Sequence, residues 1–116
     1  MKKSIESVED AIPAFNAALT RSIPLTVGWS VQSIGGVTFE ATHWRFNGFT
    51  LDLYREAEPL VTCNLGLLLG CAFAGSFEEL GDGLKLDLRI TWPENRARCD
   101  ISCDRSPTPE RELRVQ

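Results

Sequence analysis

The sequence has little of what catalytic and metal-binding motifs require. It contains one histidine and no CxxC pair, and no glycine-rich anion-binding loop is visible. The two closest cysteines, Cys99 and Cys103, stand four residues apart on a predicted strand, a span of about 13 Å that prevents a shared metal or a mutual disulfide. We therefore predict no enzyme activity, no metal and no cofactor. The four cysteines are expected to act as small apolar side chains, with Cys99 and Cys103 pointing inward: Cys63, Cys71, Cys99 and Cys103.

The chain also lacks any concentration of basic residues. Twelve Lys and Arg face sixteen Asp and Glu, for a net charge of -4 and a pI near 5.0. Binding to nucleic acid depends on a basic surface, so nucleic acid is not an expected partner. An acidic protein instead attracts basic partners, and this balance is compatible with a protein ligand of opposite charge.

Targeting and membrane segments are missing as well. Lys2 and Lys3 resemble the start of a signal peptide, but Glu6 falls where its apolar stretch would begin, so a cytoplasmic protein is expected. The uncharged run 59–77 has acidic flanks and is interrupted by Asn64. It is read as one or two buried strands, not as a membrane helix.

Length and composition are those of one folded domain. The chain has 116 residues, of which 43% are hydrophobic and 24% charged. This is enough to bury a core without disulfides or metals. We predict a single domain over residues 1–104 and a flexible tail over 105–116, where prolines and charged residues dominate.

The N-terminal segment has the periodicity of an amphipathic helix. Ser7 is placed to cap it, with Asp10 three residues later, and Pro13 is expected to kink or restart the helix. The predicted buried stripe recurs every three or four residues: Ile5, Val8, Ile12, Phe15 and Leu19.

The remainder of the chain alternates like β-strands. Residues 25–32, 84–92 and 97–104 show period-two patterns, the last of these being expected near a sheet edge, and 60–77 supplies at least one more strand. Turns are predicted at Gly35-Gly36, Asn47-Gly48, Asp82-Gly83 and 93–95. The fold class is thus α+β: an N-terminal helix packed on a mainly antiparallel meander sheet of five or six strands, flat or curled.

Two-residue turns at the first two of these sites would fix the register of a three-stranded meander. Trp44, Phe46 and Leu51 would then share an apolar face with residues 25, 27, 29 and 31. Glu40 would lie opposite Arg55 at the edge of that face. The polar face would collect Gln32, Phe39, His43, Arg45, Asp52 and Tyr54, with His43 directly opposite Asp52.

The polar face is the candidate functional surface, although the second half of the chain could also fold over it. A carboxylate that orients an imidazole is half of an acid–base pair, but no nucleophile accompanies it, so binding is the preferred function. The expected partner-binding residues combine aromatic anchors with acidic steering charges: Phe39, His43, Asp52, Tyr54, Glu78, Glu79 and Asp82. Trp92 is a further candidate anchor.

These features lead to three hypotheses. The first is a small bacterial immunity protein that neutralises a basic toxin domain, for example a nuclease, by direct binding, as a monomer or weak dimer. The second is an acidic secretion chaperone that holds a segment of an effector against its sheet. The third is a small cone-shaped α+β enzyme that uses His43 and Asp52 inside a cavity.

Overall fold

A computed structural model describes residues 2–31, 36–47, 50–64, 71–92 and 96–107, with the side chains of Val31, Cys63 and Asn64 left aside. The elements, in chain order, are β1 (Lys2–Ile5), α1 (Val8–Thr20), β2 (Leu25–Val31), β3 (Gly36–Ala41), β4 (His43–Phe46), β5 (Thr50–Arg55), β6 (Glu58–Asn64), β7 (Ala72–Leu80), β8 (Gly83–Trp92) and β9 (Ala97–Arg105).

The strands form two antiparallel sheets. The large sheet has the order β1-β7-β8-β9-β2-β3, and the small sheet has the order β4-β5-β6. One helix packs on this mainly antiparallel framework, which confirms the predicted α+β class. No helix within the described parts of the chain is both long enough and apolar enough to cross a membrane.

The helix begins where the sequence predicts. The Ser7 hydroxyl accepts a hydrogen bond from the Asp10 amide, and the Asp10 carboxylate accepts one from the Glu6 amide at 3.0 Å. Contrary to expectation, α1 continues through Pro13 as a single element. Pro13 is exposed, so water can reach the carbonyl that its missing N–H leaves without a partner.

The buried stripe of α1 differs from the prediction. Small residues at Ala11, Ala14 and Ala18 face the core with Phe15, whereas Leu19 is 40% exposed. Ile5 lies in β1, before the helix begins. Alanine side chains are small and let the helix axis lie close to the sheet. The helix therefore buries its alanine-containing face, although the face with larger hydrophobic residues is the one that the sequence pattern favours.

The core lies between α1 and the inner face of the large sheet. In β8 the side chains at alternate positions are buried along the whole strand: Leu84, Leu86, Leu88, Ile90 and Trp92. Cys99 and Ile101 of the neighbouring β9 are also fully buried. Each buried aliphatic side chain contributes about 1.5–3 kcal/mol, so this row is a main source of stability. Cys103 is only half-buried.

Arg21 ties the end of α1 to the β7–β8 turn. Its guanidinium donates to the Ala17 carbonyl at 3.1 Å and to the Gly81 carbonyl at 2.9 Å, and it lies 3.2 Å from the Glu79 carboxylate. The turn itself is formed by Gly81 and Asp82, one residue earlier than predicted, because Leu80 pairs with Gly83.

The predicted three-stranded meander is wrong. Residues 37–46 do not form one strand: the chain leaves the large sheet after Ala41 and enters the small sheet at His43. The small sheet turns its apolar side towards the helix, where the Trp44 and Phe15 rings lie 5.4 Å apart. Leu51 and Leu53 of β5 are fully buried on this side.

The register between β2 and β3 also differs from the prediction. Val37 pairs with Trp29. A two-residue turn at 35–36 would have paired Val37 with Ile34, so the observed register is displaced by five residues. An odd displacement exchanges the two faces of a strand. Phe39 therefore lies on the inner side opposite Val27, and Glu40 lies outward opposite Thr26, not opposite Arg55.

Other strands are placed as follows. β9 lies inside the large sheet between β8 and β2, so its predicted edge position is wrong. The run 59–77 contributes to two strands, β6 and β7. Arg105 ends β9 opposite Leu84, and Ser106 and Pro107 lie against Gly83. Several predicted features lie outside the described residues: Gly35, Gly48, Gly66, Gly70, the turn at 93–95, Gln32 and the tail from 108.

Candidate functional site

The predicted partner-binding residues lie in four separate places. His43, Asp52 and Tyr54 belong to the small sheet. Phe39 and Glu78 belong to the large sheet but to opposite faces of it, since Phe39 pairs with inward-facing Val27. Glu79 and Asp82 lie at the end of the β7–β8 hairpin. The expected single surface is therefore not formed, and its largest surviving part is on the small sheet.

His43 does not lie opposite Asp52. The observed cross-strand pairs are His43 with Tyr54 and Arg45 with Asp52. The displacement from the predicted register is two residues, an even number, so these four side chains still share one face. We call this set the polar patch of the small sheet: His43, Arg45, Asp52 and Tyr54.

The cause of the displacement is the β4–β5 connection. The Asn47 amide donates to the Thr50 carbonyl at 3.3 Å, and the Asn47 side-chain oxygen accepts from the Thr50 amide at 2.8 Å. Asn47 and Thr50 thus flank the connection, and residues 48 and 49 lie between them. The prediction had placed Asn47 within the turn itself, because Asn-Gly is the preferred pair for a two-residue turn.

Thr42 fixes the other end of the patch. Its amide donates to the Tyr54 carbonyl at 2.8 Å, and its hydroxyl accepts from the Glu56 amide at 2.7 Å. The same hydroxyl lies 2.9 Å from Nδ1 of His43. Because the hydroxyl oxygen already accepts from Glu56, its hydrogen can be donated to a neutral imidazole. Glu56 has φ = 57°, a left-handed backbone conformation that is unfavourable for a residue with a side chain. The hydrogen bond from its amide to the Thr42 hydroxyl helps to hold the β5–β6 turn in this conformation.

The polar patch presents an ordered mixture of aromatic and charged groups. The guanidinium of Arg45 donates to the Tyr54 hydroxyl at 3.4 Å, across the strand pair. His43 and Arg45 are exposed, and Asp52 and Tyr54 are half-buried. The opposite side of β5 is core, so the patch rests on a packed sheet.

Acidic residues adjoin the patch at one end. Glu56 and Glu58 are exposed in and beside the β5–β6 turn, where Arg55 pairs with Glu58 and Tyr54 pairs with Pro59. These two carboxylates place negative charge next to the aromatic part of the patch.

The geometry gives little basis for acid–base chemistry at His43. Its cross-strand neighbour is a phenol, and its Nδ1 contacts a hydroxyl, so a carboxylate-oriented imidazole is not formed. Neither of the two surface depressions described below includes His43. Within the described ranges no group of three or more His, Cys, Asp or Glu side chains is placed to hold a metal ion.

The other predicted anchors and steering charges are less available than expected. Trp92 is 4% exposed and stacks at a tilt on Trp29, with ring centroids 5.3 Å apart, so it cannot be a surface anchor. Glu78 and Glu79 lie within β7 and not in a loop. Glu79 pairs with Arg21, and Glu78 lies between Lys2 and Lys85 in its cross-strand row.

The sequence analysis missed an arginine cluster on the outer face of the large sheet. Asp100 binds two guanidinium groups, with Arg89 Nε 3.0 Å from one carboxylate oxygen and Arg98 Nε 3.1 Å from the other. A depression of about 740 Å³ lies beside them. The alternation in the sequence does indicate outward positions for Arg89 and Arg98 on adjacent strands. That Asp100 lies opposite Arg89, however, follows only from the register of β8 and β9.

A second depression lies further along the same face and is lined by alternating charges. Lys2, Glu78 and Lys85 follow one another in a single row, so this area is internally neutralised. It resembles an ordinary solvated sheet face more than a binding site.

No family model matches the chain, and comparison with the curated proteins and with the solved structures found no match.

Proposed function

We propose that this protein is a non-catalytic binding protein, cytoplasmic and of the bacterial immunity type, which neutralises a basic toxin domain by covering it with the polar patch of the small sheet. The observation that carries this proposal is the Arg45–Tyr54 contact on an exposed sheet face whose reverse side is core. Tyr and Arg are the residues most often responsible for affinity at protein interfaces.

Rigidity supports the proposal. A contact surface loses less entropy on binding when its side chains are already ordered. Tyr54 is held by Arg45 from the side and its backbone by Thr42, so the aromatic group is ordered before a partner arrives. Half-burial leaves part of the ring available for contact.

Charge supports a basic partner. The protein carries a net charge of -4, and Glu56 and Glu58 lie at the end of the patch beside Tyr54. Exposed acids around an anchor accelerate association with a cationic surface, and the effect weakens as salt screens it. The acids predicted for this role at Glu78 and Glu79 are less suitable, because cationic side chains of the same protein neighbour them. Glu58 likewise lies opposite Arg55, so Glu56 is the main steering acid.

The test is capture of partners from a lysate of the source organism on the tagged protein, followed by affinity measurement with the partner identified. Tyr54→Ala should weaken binding about 30-fold, the effect of losing an anchor worth about 2 kcal/mol. The double variant Glu56→Gln, Glu58→Gln should slow association and flatten its salt dependence. Asp104→Asn removes one carboxylate on the other sheet and serves as the charge control.

Two outcomes would contradict the proposal. One is a partner that binds Tyr54→Ala as well as the wild type. The other is an acidic partner whose binding is unaffected at Glu56 and Glu58 but lost on charge changes elsewhere. A stable dimer that holds an unfolded segment would instead favour the secretion chaperone, and light scattering of the complex distinguishes that case.

A further inference from the structure

We infer that the depression beside Asp100 is an oxyanion-binding site, which takes a carboxylate or phosphate group between Arg98 and Arg96, in the open space above Gly28. This site is on the large sheet and is independent of the polar patch. Its floor and walls are formed chiefly by Gly28, Ser30, Thr38, Arg96, Arg98 and Asp100.

The first step is the geometry of the guanidinium groups. Asp100 uses both of its oxygens, one for Nε of Arg89 and one for Nε of Arg98. Each arginine therefore contributes one nitrogen to Asp100 and keeps its terminal N–H groups for another acceptor. Asp100 acts as a positioning residue for both arginines, of which Arg98 lines the depression, and an oxyanion is the ligand that matches its guanidinium fork.

The second step is the local charge. Arg89, Arg98 and Asp100 together carry one net positive charge, and Arg96 at the rim adds another. This is the opposite sign to the protein as a whole, whose net charge is -4. Cations that gather on one face of an acidic protein repel one another, and a bound anion would relieve that repulsion.

The third step concerns Gly28. It lies in the interior of β2, in the same cross-strand row as Asp100 and Thr38. A Cβ added there would meet no heavy atom nearer than 4.0 Å, and its φ is not in the positive region. Neither packing nor backbone conformation requires a glycine, although glycine in a strand costs about 0.5–1 kcal/mol relative to alanine.

Gly36 provides the contrast. It lines the same depression, but a Cβ there would lie 2.7 Å from the Trp29 carbonyl oxygen, so packing accounts for it. Open space above a strand glycine is one of the features that let a ligand approach the backbone closely.

The experiment is a titration of the ¹⁵N-labelled protein with inorganic phosphate and, separately, with acetate, at constant ionic strength maintained with sodium chloride. The signals followed are the Gly28 amide and the Nε–H groups of Arg89 and Arg98. We expect saturable shifts at these signals. If the shifts saturate with phosphate but not with acetate, the site binds phosphate groups. If they saturate with both, the site also binds carboxylates.

Three variants make the test specific. Arg98→Gln should weaken binding at least tenfold, and Gly28→Val should do the same by filling the space. Arg105→Gln removes an equal charge at the far end of β9 and should leave binding unchanged. Gly28→Ala, with thermal unfolding, shows that the fold tolerates a side chain at this position.

Shifts that rise linearly without saturation would overturn the inference, as would equal weakening in Arg105→Gln and Arg98→Gln. Tyr54→Ala should bind the anion like the wild type. The proposed function and the anion site can therefore fail separately.

Discussion

Two glycines in interior strands of the large sheet should respond to the same substitution with opposite signs. Gly75 of β7 has φ = 156°, and a Cβ there would lie 2.0 Å from the Asp87 carbonyl oxygen and 2.8 Å from Leu88 Cα. Gly28 of β2 has room for a Cβ at 4.0 Å. Alanine at each position therefore tests whether backbone contact or open space explains the glycine.

For Gly75→Ala two costs combine. The unusual backbone conformation costs about 1–3 kcal/mol for a residue with a side chain. The contact with β8 can be relieved only by moving main-chain atoms, and such overpacking costs about 1–3 kcal/mol more. We expect a loss of about 3 kcal/mol or more, a large share of the stability of a domain of this size.

For Gly28→Ala the expected change is a gain of about 0.5–1 kcal/mol, because the unfolded chain loses freedom and the folded strand accepts a methyl group. Urea unfolding followed by tryptophan fluorescence measures both values, since Trp29, Trp44 and Trp92 are all at least half-buried. A loss of less than about 1 kcal/mol in Gly75→Ala, or any substantial loss in Gly28→Ala, would refute this reasoning.

Three further predictions concern single side chains. Ser7→Ala should lower the free energy of unfolding by about 1 kcal/mol, because the Asp10 amide loses its cap acceptor, and Ser7→Thr is the control in chemical denaturation. Thr42→Val should cost about 0.5–1.5 kcal/mol, because the Glu56 amide at this exposed turn exchanges its acceptor for water, whereas Thr42→Ser should retain most of the stability. Burial raises the pKa of the Cys103 thiol, which means that the folded state favours the protonated form. The stability that this shift contributes is complete below the ordinary cysteine pKa and is lost as pH rises through the higher pKa of the folded state. From neutral to alkaline pH, the free energy of unfolding should therefore fall more steeply in the wild type than in Cys103→Ala. Equal slopes in the two proteins would contradict the assignment.

Local patterns in the sequence predict the elements well. The strands at 25–31, 83–92 and 97–105 follow from alternation, because each buries one face against a single core. The cap at Ser7 follows from side-chain chemistry within four residues. These features depend on neighbours in sequence, and a sequence records neighbours directly.

Strand order and register depend on distant partners and were predicted less well. Nothing local distinguishes the central position of β9 from an edge, since both alternate in the same way. The arginine site shows the same limit, because Arg89 and Asp100 are eleven residues apart and meet only through the β8–β9 register. The two register errors also had different consequences. The displacement by two residues between β4 and β5 kept the polar patch on one face, whereas the displacement by five residues between β2 and β3 moved Phe39 to the inner face.

The break at Thr42 is visible in the sequence as a change of parity. Phe39 and Ala41 are apolar at odd positions and pack towards the core, and Trp44 and Phe46 are apolar at even positions. A single extended strand cannot direct both sets to one core, because its side chains alternate with a period of two. One residue must leave the ladder, and Thr42 does so while its amide and hydroxyl bind β5 and the following turn. The change of parity coincides with the transfer of the chain to the second sheet, and the outward side of that sheet carries His43, Arg45, Asp52 and Tyr54.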